Sequence, residues 1–133
     1  MASYYTQYSF AVEDLSSQEE AWLSKRIDDE NEREYYCTLP SCTFLTEQGD
    51  ESKTLWIHDP IGGSDLEVLA ELLQDFLQTF RPSEYIAFSW ADTCSMPRTD
   101  SFGGGAVFIT AENIVWVDTH DWIAKQIEMK GAI

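Results

Sequence analysis

An α+β fold is predicted for the 133-residue chain: one domain over 1–133, with a largely antiparallel sheet of about five or six strands. Two longer helices and a short C-terminal helix are expected on one side of it. Three observations lead there. Period-two alternation marks strands near both ends of the chain, two stretches of helical period sit among the strands, and a tight hairpin joins the last two strands. The predicted order is β-α-β-β-α-β-β-β-α.

The first strand is expected over Tyr4 to Val12, with Tyr4, Tyr8, Phe10 and Val12 at even positions. Ser16 and Ser17 then precede Glu19 and Glu20, two overlapping capping-box registers at a helix start. Ala21, Trp22, Leu23 and Ile27 form a short apolar stripe, so a helix of roughly 12–18 residues follows. Its far end is the acidic run Asp28, Asp29, Glu30, Glu32 and Glu34. Carboxylates there meet the negative end of the helix dipole, at about 0.3–1 kcal/mol each in the last turn. Either the helix stops near Ile27 or the charge serves something other than folding.

A second strand is predicted within Tyr35 to Thr46, a turn over Gln48 to Ser52 and a third strand over Thr54 to His58. Asp59 to Gly63 breaks the chain before the most regular helix, predicted to open at Ser64 with a cap on the Glu67 amide. Leu66, Leu69, Ala70, Leu73, Phe76, Leu77 and Phe80 give it one apolar face, Arg81 suits its dipole, and Pro82 stops it.

The stretch from Glu84 to Asp118 supplies the centre of the sheet. Ile86, Phe88 and Trp90 share one face of a strand ending at Trp90, followed by a long loop closed by Gly103, Gly104 and Gly105. The glycines predict backbone freedom at a strand entrance, or a bulge. Two strands, Ala106 to Thr110 and Ile114 to Asp118, are apolar on both faces, which predicts the middle of a sheet covered on at least one side. Their loop suits a left-handed Asn113. Asp118 or Thr119 then caps a short helix holding Trp122, Ile123 and Ile127.

Twenty-four acidic residues against eight basic ones give a formal charge of −16. Such a chain repels nucleic acid and anionic membrane, so a partner bound through charge must be a basic protein. The amino-terminal segment carries no positive charge before Lys25 and no apolar run of membrane-spanning length. With three cysteines, an odd number, this predicts free thiols in a reducing cytoplasm. Oligomeric state is not legible.

The exposed row Glu67, Glu71, Asp75 places like charges about 6 Å apart where a neutral surface would alternate signs. With Asp28, Asp29, Glu30, Glu32 and Glu34 it forms a candidate phosphate-like surface. The competing reading is an ordinary solvated helix face. Cys37 and Cys42, with Cys94, His58 and His120, lack the paired spacing of a zinc site, so no metal is expected. Asp92, Cys94 and Arg98 form an alternative loop site, although Cys-x3-Arg is not a phosphatase spacing and a nucleophile also needs a base. No catalytic motif or cofactor signature stands out, and the three glycines precede a strand, not a helix, so they are no phosphate cradle.

The stretch from Trp90 to Ala106, with Asp-Thr-Cys-Ser-Met-Pro-Arg and Phe-Gly-Gly-Gly-Ala, resembles small uncharacterised bacterial and mobile-element proteins. In size and acidity the chain resembles phage- and plasmid-borne inhibitors, including anti-restriction and anti-CRISPR proteins. That resemblance implies a non-enzymatic inhibitor acting as a DNA mimic on a basic nucleic-acid-binding surface of a host defence complex. The alternatives are a small enzyme or ligand-binding protein using residues 91–105, and a structural interaction module.

Overall fold

The structure, a computed structural model, describes residues 2–33, 39–46 and 52–131. The elements follow the predicted order: β1 (Tyr4–Leu15), α1 (Ser17–Arg33), β2 (Ser41–Thr46), β3 (Lys53–Asp59), α2 (Leu66–Phe80), β4 (Tyr85–Cys94), β5 (Gly103–Thr110), β6 (Ile114–Asp118) and α3 (Thr119–Gly131). The six strands form one open antiparallel sheet in the order β2-β3-β1-β4-β5-β6. β1 joins its two halves, since residues 4–7 pair with β4 and residues 8–15 pair with β3. The predicted strand segment over 35–38 and the turn over 48–51 lie outside the described residues.

Alternation along the strands builds the core. Leu55 and Ile57 of β3, Val12 and Leu15 of β1, Phe88 of β4, and Val107 and Ile109 of β5 are buried on one face. α2 lays Leu69, Leu73, Phe76 and Leu77 onto that face, all at 1% exposure or less. Tyr8, Phe10 and Phe88 stack across β1 and β4, with Phe10 and Phe88 4.2 Å apart. α1 adds Leu23, Ile27 and Trp22, the last against Phe76 and Phe80.

α1 has 17 residues, within the expected length, and of the two alternatives for its end it runs through the acidic run to Arg33 and does not stop near Ile27. Several local expectations change. β1 continues to Leu15 through an irregularity after Val12, where Asp14 takes a left-handed φ of 57°. α2 is capped by Asp65, which accepts from the Glu67 and Val68 amides, and not by Ser64. Ser64 is engaged elsewhere: its hydroxyl donates to Asp59 Oδ2 at 2.7 Å and meets the Tyr8 hydroxyl at 2.7 Å. β6 is an edge strand, so apolar residues on both its faces did not mark the middle of a sheet. Asn113 is not left-handed; the hairpin is held instead by the Thr110 hydroxyl, which accepts from the Glu112 and Asn113 amides. Asp118 is the cap of α3.

Ion pairs fasten the helix layer. Arg81 donates through Nε to Glu19 at 2.7 Å and through Nη2 to the carbonyls of Glu13 and Asp14. Glu19 is also the far half of the predicted capping box, accepting from the Ser16 amide while Ser16 accepts from its own. One guanidinium thus joins the end of β1, the start of α1 and the end of α2. Arg26 bridges Glu30 on α1 and Asp75 on α2, and Lys53 at the start of β3 meets Glu20.

Burial opposes ionisation of Glu19, but Arg81 and the Ser16 amide outweigh it and lower its pKa. Asp59 is likewise penalised by burial yet held low by Ser64 and the amides of Gly62 and Ile61. Burial, against the Ser64 hydrogen bond, pushes the Tyr8 phenol up to about 12. With folded values below the unfolded ones, unfolding takes up protons in the acid range. These carboxylates therefore stabilise above their ordinary values of 4.5 and 3.8, and the contribution is lost as pH falls through the depressed ones. Glu19→Gln is expected to lower stability by about 1.5–3 kcal/mol at pH 7, the scale of a hydrogen bond to a charged group. Urea midpoints of variant and parent should converge as pH falls from 4.5 through the depressed value, where the folded parent loses the charge too.

Candidate acidic surface and cleft

The acidic surface is built on the two long helices. Ion pairs Glu19–Arg81 and Asp75–Arg26 run α1 and α2 antiparallel, so the C-terminal end of α1 lies toward the N-terminal half of α2. Asp28, Asp29 and Glu32 on α1, and Glu67 and Glu71 on α2, are exposed. Two members of the predicted set are used differently. Glu30 is buried against Arg26, and Asp75 is half-buried in the 2.8 Å pair with the same guanidinium. Both belong to the helix–helix joint. Glu34 lies outside the described residues.

Beside the N-terminus of α2, on the same face of the sheet, a cleft of about 880 Å³ opens toward β4 and β6. Trp90 and Trp116 line it, 6.0 Å apart and inclined at 63°. Asp65, Glu67, Asp92 and Asp118 add carboxylates, and no lysine, arginine or histidine is among the described residues that line it. Asp65 and Asp118 are the caps of α2 and α3, while Asp92 Oδ1 accepts the Thr6 hydroxyl at 2.9 Å.

The loop leading into α2 is shaped by Asp59, whose Oδ1 takes the Ile61 and Gly62 amides. Gly62 and Gly63 have φ of 118° and 94°, a region other side chains rarely adopt. Position 62 also lies against Thr6, where a Cβ would come within 3.1 Å of the Thr6 nitrogen.

The three consecutive glycines do something other than loosen a strand entrance. They are regular members of β5, Gly105 opposite Trp90, Gly104 opposite Ala91 and Gly103 opposite Asp92. None has a positive φ, so conformational freedom is not their role. Close approach is. A Cβ at Gly105 would run into the Trp90 indole and the Val117 carbonyl, and one at Gly104 would stand 2.5 Å from the Trp90 carbonyl. At Gly103 it would meet His120 and Thr119 of α3. The Trp90 ring thus lies across a strand stripped of side chains and forms one wall of the cleft.

This pairing shortens the predicted 91–105 loop to residues 95–102, because β4 runs on to Cys94. The alternative loop residues separate accordingly. Asp92 lines the cleft, Cys94 is half-buried in β4 opposite Tyr4, and Arg98 is exposed in the loop. Cys94 is a free thiol, the Cys42 thiol donates to the Pro40 carbonyl at 3.5 Å, Cys37 lies outside the described residues, and His58 stacks on Trp56 at 3.8 Å. Among the described residues no three histidine, cysteine or carboxylate groups converge as a metal site would require.

Sequence reasoning missed the cleft. Its residues come from positions 6, 63–67, 90, 92 and 116–118, brought together only by the tertiary fold. The available signal was the period-two placement of Trp90 and Trp116 with the core-facing residues, next to glycines that leave room for them. The opposite face of β4–β6 also went unrecognised: Tyr85 and Phe108 stack there at 5.0 Å beside Val115 and Val117, all exposed. No described helix is long and apolar enough to cross a membrane. No family model, curated protein or solved structure matches the chain.

Gly105→Ala is expected to cost about 1–3 kcal/mol, the scale of overpacking, because its Cβ meets an indole and a backbone carbonyl. Gly131→Ala, with nothing within 4 Å, should be near neutral. Urea midpoints check the difference. Near-ultraviolet circular dichroism should change only for Gly105→Ala if the Trp90 ring is displaced.

Proposed function

We propose that the protein is a non-enzymatic acidic binding protein that occupies a basic, nucleic-acid-binding surface of a protein partner, its carboxylates standing where phosphates would. The observation that carries this reading is the acidic end of α1. The helix continues to Arg33 although Glu32 opposes the dipole in its last turn and Asp28 and Asp29 add like charge in the turn before, and none of these three takes part in an ion pair among the described residues. Glu67 and Glu71 extend the charge onto α2. Arg26, Lys53 and Arg81, which could have neutralised the surface, are turned into the helix–helix and helix–sheet joints. Likeness in size and acidity to phage- and plasmid-borne inhibitors points the proposal to a defence complex as target.

The test is affinity capture of nucleic-acid-binding proteins on the immobilised chain, repeated with added salt and with competing duplex DNA. A combined Asp28→Asn, Asp29→Asn, Glu67→Gln and Glu71→Gln variant keeps side-chain size and leaves Arg26 paired. Capture is expected to fall with salt, with DNA and in the variant. Capture indifferent to all three would refute the proposal.

A further inference from the structure

We propose that the cleft beside the N-terminus of α2 receives an arginine side chain of the basic partner, taken up by the indoles of Trp90 and Trp116 and the carboxylates of Glu67 and Asp92. This deepens the preceding reading and rests on it. The cleft gives one cation of the partner a defined seat, where the helix faces offer only diffuse charge.

Size and lining select the ligand. A volume of about 880 Å³ is ample for one long side chain with part of its backbone. Four carboxylates line the space without a basic residue to balance them. The N-termini of α2 and α3 open nearby, and a helix start attracts anions with the equivalent of roughly half a positive charge. Two such ends offset only about one of the four negative charges, and each is already capped, by Asp65 and Asp118. A cation is favoured by the remainder. Asp65 and Asp118 each spend one oxygen on a helix cap, whereas Glu67 and Asp92 cap no helix, and Asp92 keeps the oxygen not bonded to Thr6, so these two are the carboxylates assigned to the cation.

The rings decide between cations. Tryptophan faces attract positive charge most strongly among aromatic side chains, and Trp116 stands 40% exposed at the edge of the sheet. A guanidinium is planar, weakly hydrated and able both to stack on an indole and to fork onto a carboxylate. A lysine ammonium can satisfy the charge but not the stacking. The inclination of 63° between the two rings presents their faces at an angle, so one can be stacked while the other closes the side. Apart from this, Trp116 has a structural partner in Trp90 alone among the described aromatic contacts.

The experiment is a titration of the ¹⁵N-labelled full chain followed through its indole N–H signals. The probe is N-acetylarginine amide, with N-acetyllysine amide and N-acetylglycine amide compared at constant ionic strength. Saturable shifts of the Trp90 and Trp116 signals are expected with arginine, weaker with lysine and absent with glycine. Trp116→Leu and Asp92→Asn should each weaken arginine binding by about 2–5-fold. Glu112→Gln, which removes one exposed charge at the hairpin tip, should leave it unchanged. The unshifted remainder of each spectrum reports that the variant is folded. Linear shifts, equal response to glycine, or Asp92→Asn behaving like Glu112→Gln would overturn the assignment. If capture of a basic protein remains sensitive to salt and DNA while this titration fails, the cleft alone is removed from the account. If arginine binds but capture fails, the basic-partner reading falls and with it the assignment of the cleft to a partner's side chain.

Discussion

The ion pair between Glu19 and Arg81 is the joint on which the architecture turns. Arg81 reaches two carbonyls at the end of β1 while it holds the carboxylate that caps α1, and its own amide closes the last turn of α2. Without it, three elements would meet at a point rich in carboxyl and carbonyl oxygens and poor in donors. A chain with eight basic residues has few chances to make such joints. Among the described residues Arg26 and Lys53 make further joints, between α1 and α2 and between α1 and β3. Committing Arg26, Lys53 and Arg81 to joints leaves fewer of the scarce cations to offset the surface carboxylates, so fold and surface chemistry are linked.

The second constraint is steric. The indole of Trp90 lies over a strand position that no side chain other than hydrogen can occupy, and Gly104 lets the neighbouring backbone approach equally closely. This opens the sheet face beside the start of α2, where α2 has ended its own packing and α3 has not begun. The cleft is the space left there, walled by two tryptophans and rimmed by the carboxylates that cap the adjoining helices. Side chains chosen to terminate helices thus also give the cleft its charge.

Strong periodicity made most of the fold legible. The apolar stripe of α2, the alternation of β4 and the hairpin between β5 and β6 stood out because each is a local pattern that the tertiary structure reinforces. The failures have physical causes. Ser64 looked like a cap, but the buried Asp59, five residues earlier in the chain, claimed its hydroxyl. The glycines at 103–105 looked like punctuation because a sequence does not reveal which ring lies across the ladder. β6 looked central because its outward Val115 and Val117 are as apolar as its core face, yet no helix covers them. In the acidic surface, spacing along α2 identified Glu67 and Glu71, whereas the loss of Asp75 and Glu30 to Arg26 depended on an interhelical contact.

At the centre of this account is the claim that the acidic end of α1 is carried against the interest of the fold. Urea denaturation of an Asp28→Asn, Asp29→Asn and Glu32→Gln variant, at low and at high salt, tests that claim most directly. Removing Glu32 from the last turn and the like charges of Asp28 and Asp29 from the turn before it should raise stability by about 0.3–1 kcal/mol at low salt. The gain should shrink at high salt, where the parent's repulsion is screened. A variant less stable than the parent would contradict the account, because those carboxylates would then be part of what holds the protein together.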